Sequence, residues 1–338
     1  MKKLFVSVKN FIARHPDILW LAVVLVIPVF VTNKYYMHII NTVLILSILT
    51  SGLNVLTGYC GQISIGHAAF YAIGAYTSAI LTVKAGLSFW LAMPLAGVIT
   101  GFLGYLVGKP TLKLSGSYLA IASIGVGEIV RLVLINWTSL TGGAEGFKKI
   151  PAPMFFGTEI KNDLQYYWLL VPIVILFLFV YNHLIHSETG RAFRAVNQEE
   201  TAAEFMGINT SKMKVRAFVI SCVFAGIAGS LNAHLNGYLS PYTYNFTQSV
   251  SYLMMVLAGG MGVAWGPIVG VVILTFAKEA FRFFNDYQLV IYGVMLVVLI
   301  IFMPRGISGA LIDFVEKFRL RVPRGTNRKN AAKMKEGN

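Results

Sequence analysis

Polar side chains that interrupt the apolar stretches of this chain are its first candidates for chemistry. Asn54, Gln62, Ser64 and His67 lie in or beside a glycine-rich stretch, residues 58–66. A helix unwound at these glycines would turn backbone groups and the four side chains towards a substrate path, as discontinuous membrane helices do. Close helix packing through small residues explains the same glycines equally well. For His67 a buried, hydrogen-bonded role is favoured over a proton relay, because an unpartnered polar ring is costly in an apolar span.

A second candidate is the pair Glu128 and Arg131, which are three positions apart in an apolar stretch. This spacing brings the two side chains together on one helix face, so they can form an ion pair. Charged residues inside a membrane span are functional candidates by default. A structural brace and a gate remain equally open for this pair.

The sequence lacks the patterns of the common catalytic and cofactor sites. It contains no Gly-x-x-x-x-Gly-Lys-Ser/Thr phosphate loop, so we expect no ATP site of that kind in this chain. It contains no His-Glu-x-x-His motif, no serine elbow and no clustered acidic pair, so we assign no catalytic residue. Its two cysteines have no metal-ligand spacing. We therefore expect no metal, no bound cofactor and no enzymatic activity of its own.

The elements that carry these residues are apolar helices. Of the 338 residues 56% are hydrophobic and 12% are charged, and the mean hydropathy is +0.68. Several apolar stretches approach the ~20 residues that span a bilayer as a helix. We predict an all-α integral membrane protein with about ten spans, and the third and eighth spans are the weakest because each adjoins a glycine-rich stretch. The predicted spans are residues 18–32, 37–56, 63–83, 87–107, 114–135, 164–181, 215–236, 247–257, 266–283 and 288–303.

The positive charge of the chain indicates its orientation. The net charge is +14, and most Lys and Arg residues lie at the termini and in alternate loops. Because positive residues prefer the cytoplasmic side, we predict that both termini are cytoplasmic and that the protein lies in the cell membrane. This distribution does not favour binding of nucleic acid. The predicted parts are a basic N-terminus, residues 1–17, a membrane domain, 18–303, with an external loop, 136–163, and a cytoplasmic loop, 183–214, and a basic tail, 304–338.

The cytoplasmic loop contains the most informative polar stretch. Residues 201–204, Thr-Ala-Ala-Glu, are predicted to form a short helix, which Gly207 can end in a left-handed conformation. Ala202 and Ala203 would let another surface approach closely. Such an element suits docking of a partner, although composition alone favours a solvated connector.

The motifs of the chain carry a resemblance to known families. Glu200-x-Ala202-Ala203-x-x-x-Gly207 resembles the cytoplasmic "EAA" loop of ABC importer permeases, which engages their ATP-binding subunits. The stretch from Gly52 to Phe70, GLNVLTGYCGQISIGHAAF, is similar to the branched-chain amino acid permeases of the LivM type. Further blocks follow in family order: Ser117–Ile121, Gly127–Arg131, Thr141-Gly142-Gly143-x-x-Gly146, Gly259-Gly260-Met261-Gly262-x-x-x-Gly266-Pro267 and Pro304-Arg305-Gly306.

The resemblance implies a permease subunit of an ATP-driven importer. It implies a second homologous permease, two ATP-binding subunits that hold the ATP, and an external binding protein that delivers leucine, isoleucine or valine. The residues that would contact the ATP-binding subunits are Glu199, Glu200, Ala202, Ala203 and Gly207.

Other transport functions remain as alternatives. A stand-alone secondary transporter would couple a proton through Glu128 or His67, and the missing phosphate loop is equally compatible with it. Permeases with the same motifs also carry urea, short amides or other amino acids, so the sequence alone does not choose the substrate.

Overall fold

The computed structural model of the protein describes residues 28, 33–111, 117–155, 158–160, 162–281, 290, 293–294, 297 and 306–309. The predicted N-terminal segment, 1–17, lies outside these ranges. So do most of the predicted first span, most of the predicted tenth span and most of the predicted tail.

Within these ranges the chain is helical, with two very short strand pairs in its loops. β1 (Phe147–Lys148) pairs with β4 (Tyr238–Leu239), and β2 (Met154–Phe155) pairs with β3 (Thr158–Glu159), both antiparallel. The α-helices are α1 (Lys34–Asn54), α2 (His67–Val83), α3 (Phe89–Thr111), α4 (Ser117–Asn136), α5 (Thr138–Thr141), α6 (Asp163–His186), α7 (Glu188–Gln198), α8 (Glu200–Phe205), α9 (Thr210–Asn236), α10 (Phe246–Gly259) and α11 (Gly266–Phe281).

Five of the described helices are long and apolar enough to cross a membrane: α1, α3, α4, α6 and α9. The fold is therefore that of a helical membrane protein, as the composition predicts. α2 and α10 are apolar but have only 17 and 14 residues. At 1.5 Å per residue they are about 25 and 21 Å long, less than the ~30 Å hydrocarbon core. They correspond to the two spans that the sequence marks as weakest.

The centre of the bundle is α9, which packs against α1, α2 and α3. Glycines permit these close contacts. A Cβ atom added to Gly74 of α2 would lie 2.2 Å from the carbonyl oxygen of Gly226 in α9. Three of the four glycines of α3 lie in the same way against larger side chains of α9: Gly97 against Ile227, Gly101 against Val223 and Gly104 against Cys222.

The two long loops lie at opposite ends of α6 and α9. The loop before α6 packs over the last residues of α9, where a ring nitrogen of His234 lies 2.8 Å from the carbonyl oxygen of Pro151. α7 and α8 follow the last residue of α6 and precede the first residue of α9. We call the second end the α7–α8 end; that it is the cytoplasmic end is a prediction.

Candidate functional site

The chain leaves the helical conformation between α1 and α2. α1 first continues as a π-helical turn, Val55–Tyr59, and residues 61–66 are then non-helical. Gly61 has φ +72°, and a Cβ atom added to it would lie 2.2 Å from Oδ1 of Asn197. Of the two interpretations that the glycines leave open, the structure thus has the unwound segment, and α7 lies directly on it.

Asn54 joins this segment to two other parts of the bundle. Its side-chain amide donates to the hydroxyl oxygen of Tyr181 at 2.8 Å and to the carbonyl oxygen of Val263 at 3.1 Å. Its Oδ1 accepts from the backbone N–H of Gly262 at 3.0 Å. The side chain is fully buried. Asn54 thus links α1 to α6 and to the glycine-rich connection between α10 and α11.

His67 and Ser64 lie together in a second buried cluster. Nε2 of His67 lies 2.6 Å from Oγ of Ser221 in α9, and its Nδ1 lies 3.2 Å from Oγ of Ser64. The rings of Phe70 and Phe218 pack against the imidazole. Gln62 is half-buried and donates to the carbonyl oxygen of Cys60 at 3.4 Å. Of the four path candidates, the structure thus brings together His67 and Ser64, whereas Asn54 and Gln62 bond elsewhere.

Glu128 and Arg131 form an ion pair on the surface of α4. Nε of Arg131 donates to Oε2 of Glu128 at 3.0 Å, and its Nη2 donates to Oε1. The pair lies within one helix, so it does not connect α4 to another element. Glu128 borders a small cavity that is open to the surface and is also lined by Ile65, Ala69, Gly127, Asn245 and Ser249. The cavity lies where α2, α4 and α10 meet.

α7 is fastened to α1 and α6. Its buried face consists of Gly190, Phe193 and Val196. Nη2 of Arg194 donates to the carbonyl oxygen of Ile185 at 2.6 Å. The amide of Asn197 donates to the carbonyl oxygen of Gly58 at 3.1 Å. These bonds attach α7 to the last turn of α6 and to the π-helical turn after α1.

α8 is fastened to α9 instead. Nζ of Lys214, which is buried, lies 2.6 Å from the carboxylate of Glu200. The hydroxyl of Thr210 donates to Oε1 of Glu204 at 2.6 Å. Ala203 is buried beside them. Of the predicted docking residues, Glu200 and Ala203 therefore face the bundle.

The outer side of α8 carries the residues that remain accessible. Glu199, Ala202 and Gly207 are exposed, and Gly207 ends the helix with φ +83°. Phe205 and Met206 are 86% and 83% exposed, and both are large and apolar.

Sequence reasoning missed several partners at these sites. Three of these partners, Ser221, Tyr181 and Lys214, are single polar residues in or beside apolar helices. In the sequence, Lys214 contributes only to the distribution of positive charge, and nothing indicates that it pairs with Glu200. Phe205 and Met206 lie directly after Glu204, inside the predicted docking motif. Two large apolar side chains in a polar loop could have indicated an exposed contact surface.

Comparison with known proteins identifies similar chains. Residues 35–300 match the model of a family described as "Branched-chain amino acid transport system / permease component". The chain is 37% identical over 315 residues to the high-affinity branched-chain amino acid transport system permease protein LivM of Salmonella typhimurium, covering 86% of this chain and 74% of that protein. The LivM protein of Escherichia coli gives the same values.

A second kind of permease is also similar. The chain is 24% identical over 290 residues to the high-affinity branched-chain amino acid transport system permease protein LivH of Escherichia coli, covering 78% of this chain and 91% of that protein. No solved structure matches the chain.

Proposed function

The chain belongs to the family of branched-chain amino acid transport system permease components, and from that premise we propose that it is a membrane subunit of an ATP-driven importer. With a second permease it forms the path for leucine, isoleucine or valine. An external binding protein delivers the substrate, and two ATP-binding subunits, which hold the ATP, dock at the α7–α8 end. The protein lies in the cell membrane with that end in the cytoplasm.

The observation that carries this proposal is the attachment of α7 and α8. A connector that is merely solvated has no need for a buried lysine, yet Lys214 pairs with Glu200 at the base of α9. α7 bonds to the ends of α1 and α6 at the same time. A partner that displaces α7 and α8 would therefore also pull on α1, α6 and α9, to which the two short helices are bonded.

Phe205 and Met206 supply the contact for the ATP-binding subunits. Large exposed apolar side chains on a polar segment are typical of protein interfaces, and buried aromatic side chains often dominate the energy of such interfaces. Ala202 beside them leaves room for a close approach. ATP-driven closure of the partner subunits moves α8, and the bonds of Glu200 and Glu204 pass this movement to α9.

Replacement of Phe205 tests this contact. We expect Phe205→Ser to weaken the association of the ATP-binding subunits by about 10- to 100-fold, which corresponds to about 1.4–2.8 kcal/mol. The measurement is the amount of ATP-binding subunit that co-purifies at graded concentrations. Tyr242→Ser changes an exposed aromatic side chain at a loop far from α8 and is the matched control. An equal loss in both variants would contradict the assignment.

Uptake by the reconstituted complex tests the function as a whole. The chain, its second permease and the ATP-binding subunits are placed in liposomes with ATP on the side of α8 and the binding protein on the other side. We expect leucine uptake that requires ATP, and competition by isoleucine and valine but not by urea or short amides. Uptake by the chain without any ATP-binding subunit would instead support a secondary transporter.

A further inference from the structure

α4 presents an exposed face that runs along its whole length. Tyr118, Ile121, Gly125, Glu128 and Leu132 are all exposed, and their spacing of three and four positions places them in one stripe. Only 17% of the residues in the apolar stretch of α4 are buried, against 89% in α1 and 39% in α3 and α6. α4 is therefore the least covered of the long described helices.

Contact with lipid hydrocarbon would be unfavourable for this stripe of α4. Glu128 lies near the middle of α4 and Arg131 one turn further towards its end, and charged side chains that face hydrocarbon are expensive. Membrane proteins place such groups against other protein or water. The largest exposed side chains are apolar on all three helices, such as Ile121 on α4, Val98 on α3 and Phe179 on α6. α3 and α6 differ from α4 because their Lys and Asp residues, Lys109 and Asp163, lie only at their ends.

Gly125 also distinguishes the exposed stripe of α4 from the surfaces of α3 and α6, because it leaves open space at the helix surface. A Cβ atom added to Gly125 would meet no atom within 4 Å among the residues that the structure describes. Three of the four glycines of α3 differ, since Gly97, Gly101 and Gly104 already contact α9. Small residues on membrane helices permit the close approach of a neighbouring helix, and at Gly125 that neighbour is not part of the described chain.

We propose that this face of α4 is the surface on which the second permease chain docks. The partner is a chain of the same family, whose own membrane helix packs over Gly125 and meets Glu128 and Arg131 with opposite charges. A face with one acidic and one basic residue a single turn apart is complementary to itself under two-fold symmetry. This suits a related partner, and the chain is similar to permeases of both the LivM and the LivH kind.

The assignment rests on the proposed function and makes it more specific. The cavity beside Glu128 would then border the interface between the two permeases rather than lipid. Its lining combines the first turn of α2 with the start of α10, so the unwound segments of the chain lie next to the partner.

Site-directed photo-crosslinking in the purified complex tests the assignment. A benzophenone maleimide is attached after the substitution Gly125→Cys, and separately after Ile121→Cys on the same stripe. Val98→Cys on α3 and Phe179→Cys on α6 are exposed controls. The native Cys60 and Cys222 are buried, so labelling at them is low.

We expect the probes at positions 121 and 125 to form an adduct with the second permease, identified by mass spectrometry, at least five-fold more than the probes at positions 98 and 179. A second permease that crosslinks mainly from position 98 or 179 would overturn the choice of face and leave the proposed function intact. A complex that contains the ATP-binding subunits but no second permease would overturn the proposed function as well.

Discussion

Among single residues, His67 depends most on a partner from a distant part of the chain. Its ring bonds to Ser221, 154 positions away, and to Ser64. Both of its nitrogens are therefore engaged inside the bundle. The cluster fixes the first residue of α2 directly after the unwound segment, and it joins that residue to the central helix.

Removal of one hydroxyl tests this cluster. We expect Ser221→Ala to destabilise the protein by about 1 kcal/mol, because it leaves a buried ring nitrogen of His67 without a partner. The measurement is thermal unfolding in detergent. Ser51→Ala is the control, since the buried hydroxyl of Ser51 has no partner among the described residues, and we expect it to be nearly neutral.

The pairing is checked by a double-mutant cycle. In the background of His67→Phe, the effect of Ser221→Ala should largely disappear. An unchanged effect in that background would show that Ser221 stabilises the protein through some other contact.

At the scale of elements, α8 and α9 are held together by two side-chain bonds on successive turns. We expect Lys214→Met to leave the carboxylate of Glu200 unpaired and to loosen α8 from α9. In the reconstituted complex ATP hydrolysis should persist while leucine uptake per ATP falls several-fold. Lys212→Met removes an exposed charge on the same turn and is the control. Lys214→Arg should restore coupling, and an unchanged ratio in Lys214→Met would contradict this role.

The crossing of α2 and α9 gives a second prediction for elements. A Cβ atom added to Gly229 would lie 2.1 Å from the carbonyl oxygen of Tyr71. Gly229→Ala must therefore separate the two helices, and we expect a loss of about 1–3 kcal/mol in stability. Gly127→Ala is the control, because its nearest atom would be at an ordinary 3.6 Å. Thermal unfolding of both variants in the same detergent measures the difference.

The helices were predictable from the sequence because each membrane span needs a long apolar stretch, and α1, α3 and α9 each coincide with a predicted span to within about five residues. The unwinding near Gly61 was only one of two interpretations of the glycines, because small residues also permit close helix packing. The partners of the polar side chains were not predictable. Ser221 bonds to His67, and Lys214 bonds to Glu200, because of the way the helices pack against each other. That packing cannot be derived from a single sequence.

For the whole molecule, orientation in the membrane is the property that the charges predict. We expect Ala202→Cys at the α7–α8 end to react with a membrane-impermeant maleimide only after the cytoplasmic side is made accessible. Tyr242→Cys, in the loop after β4, should react from outside in intact cells. Both positions are exposed in the structure. The opposite pattern of labelling would reverse the predicted topology and would remove the docking role of α8.

Glu199 is the single residue between α7 and α8, and its backbone is extended, with φ −157° and ψ 110°. On one side of it the chain is bonded to α1 and α6, and on the other side to α9. A movement of α8 relative to α7 therefore requires rotation about the backbone bonds of Glu199. Proline at this position would fix φ near −65°, about 90° from the observed angle, and would remove the N–H that donates to the carbonyl oxygen of Ala195. The relative direction of α7 and α8 is thus set by the extended backbone of one residue.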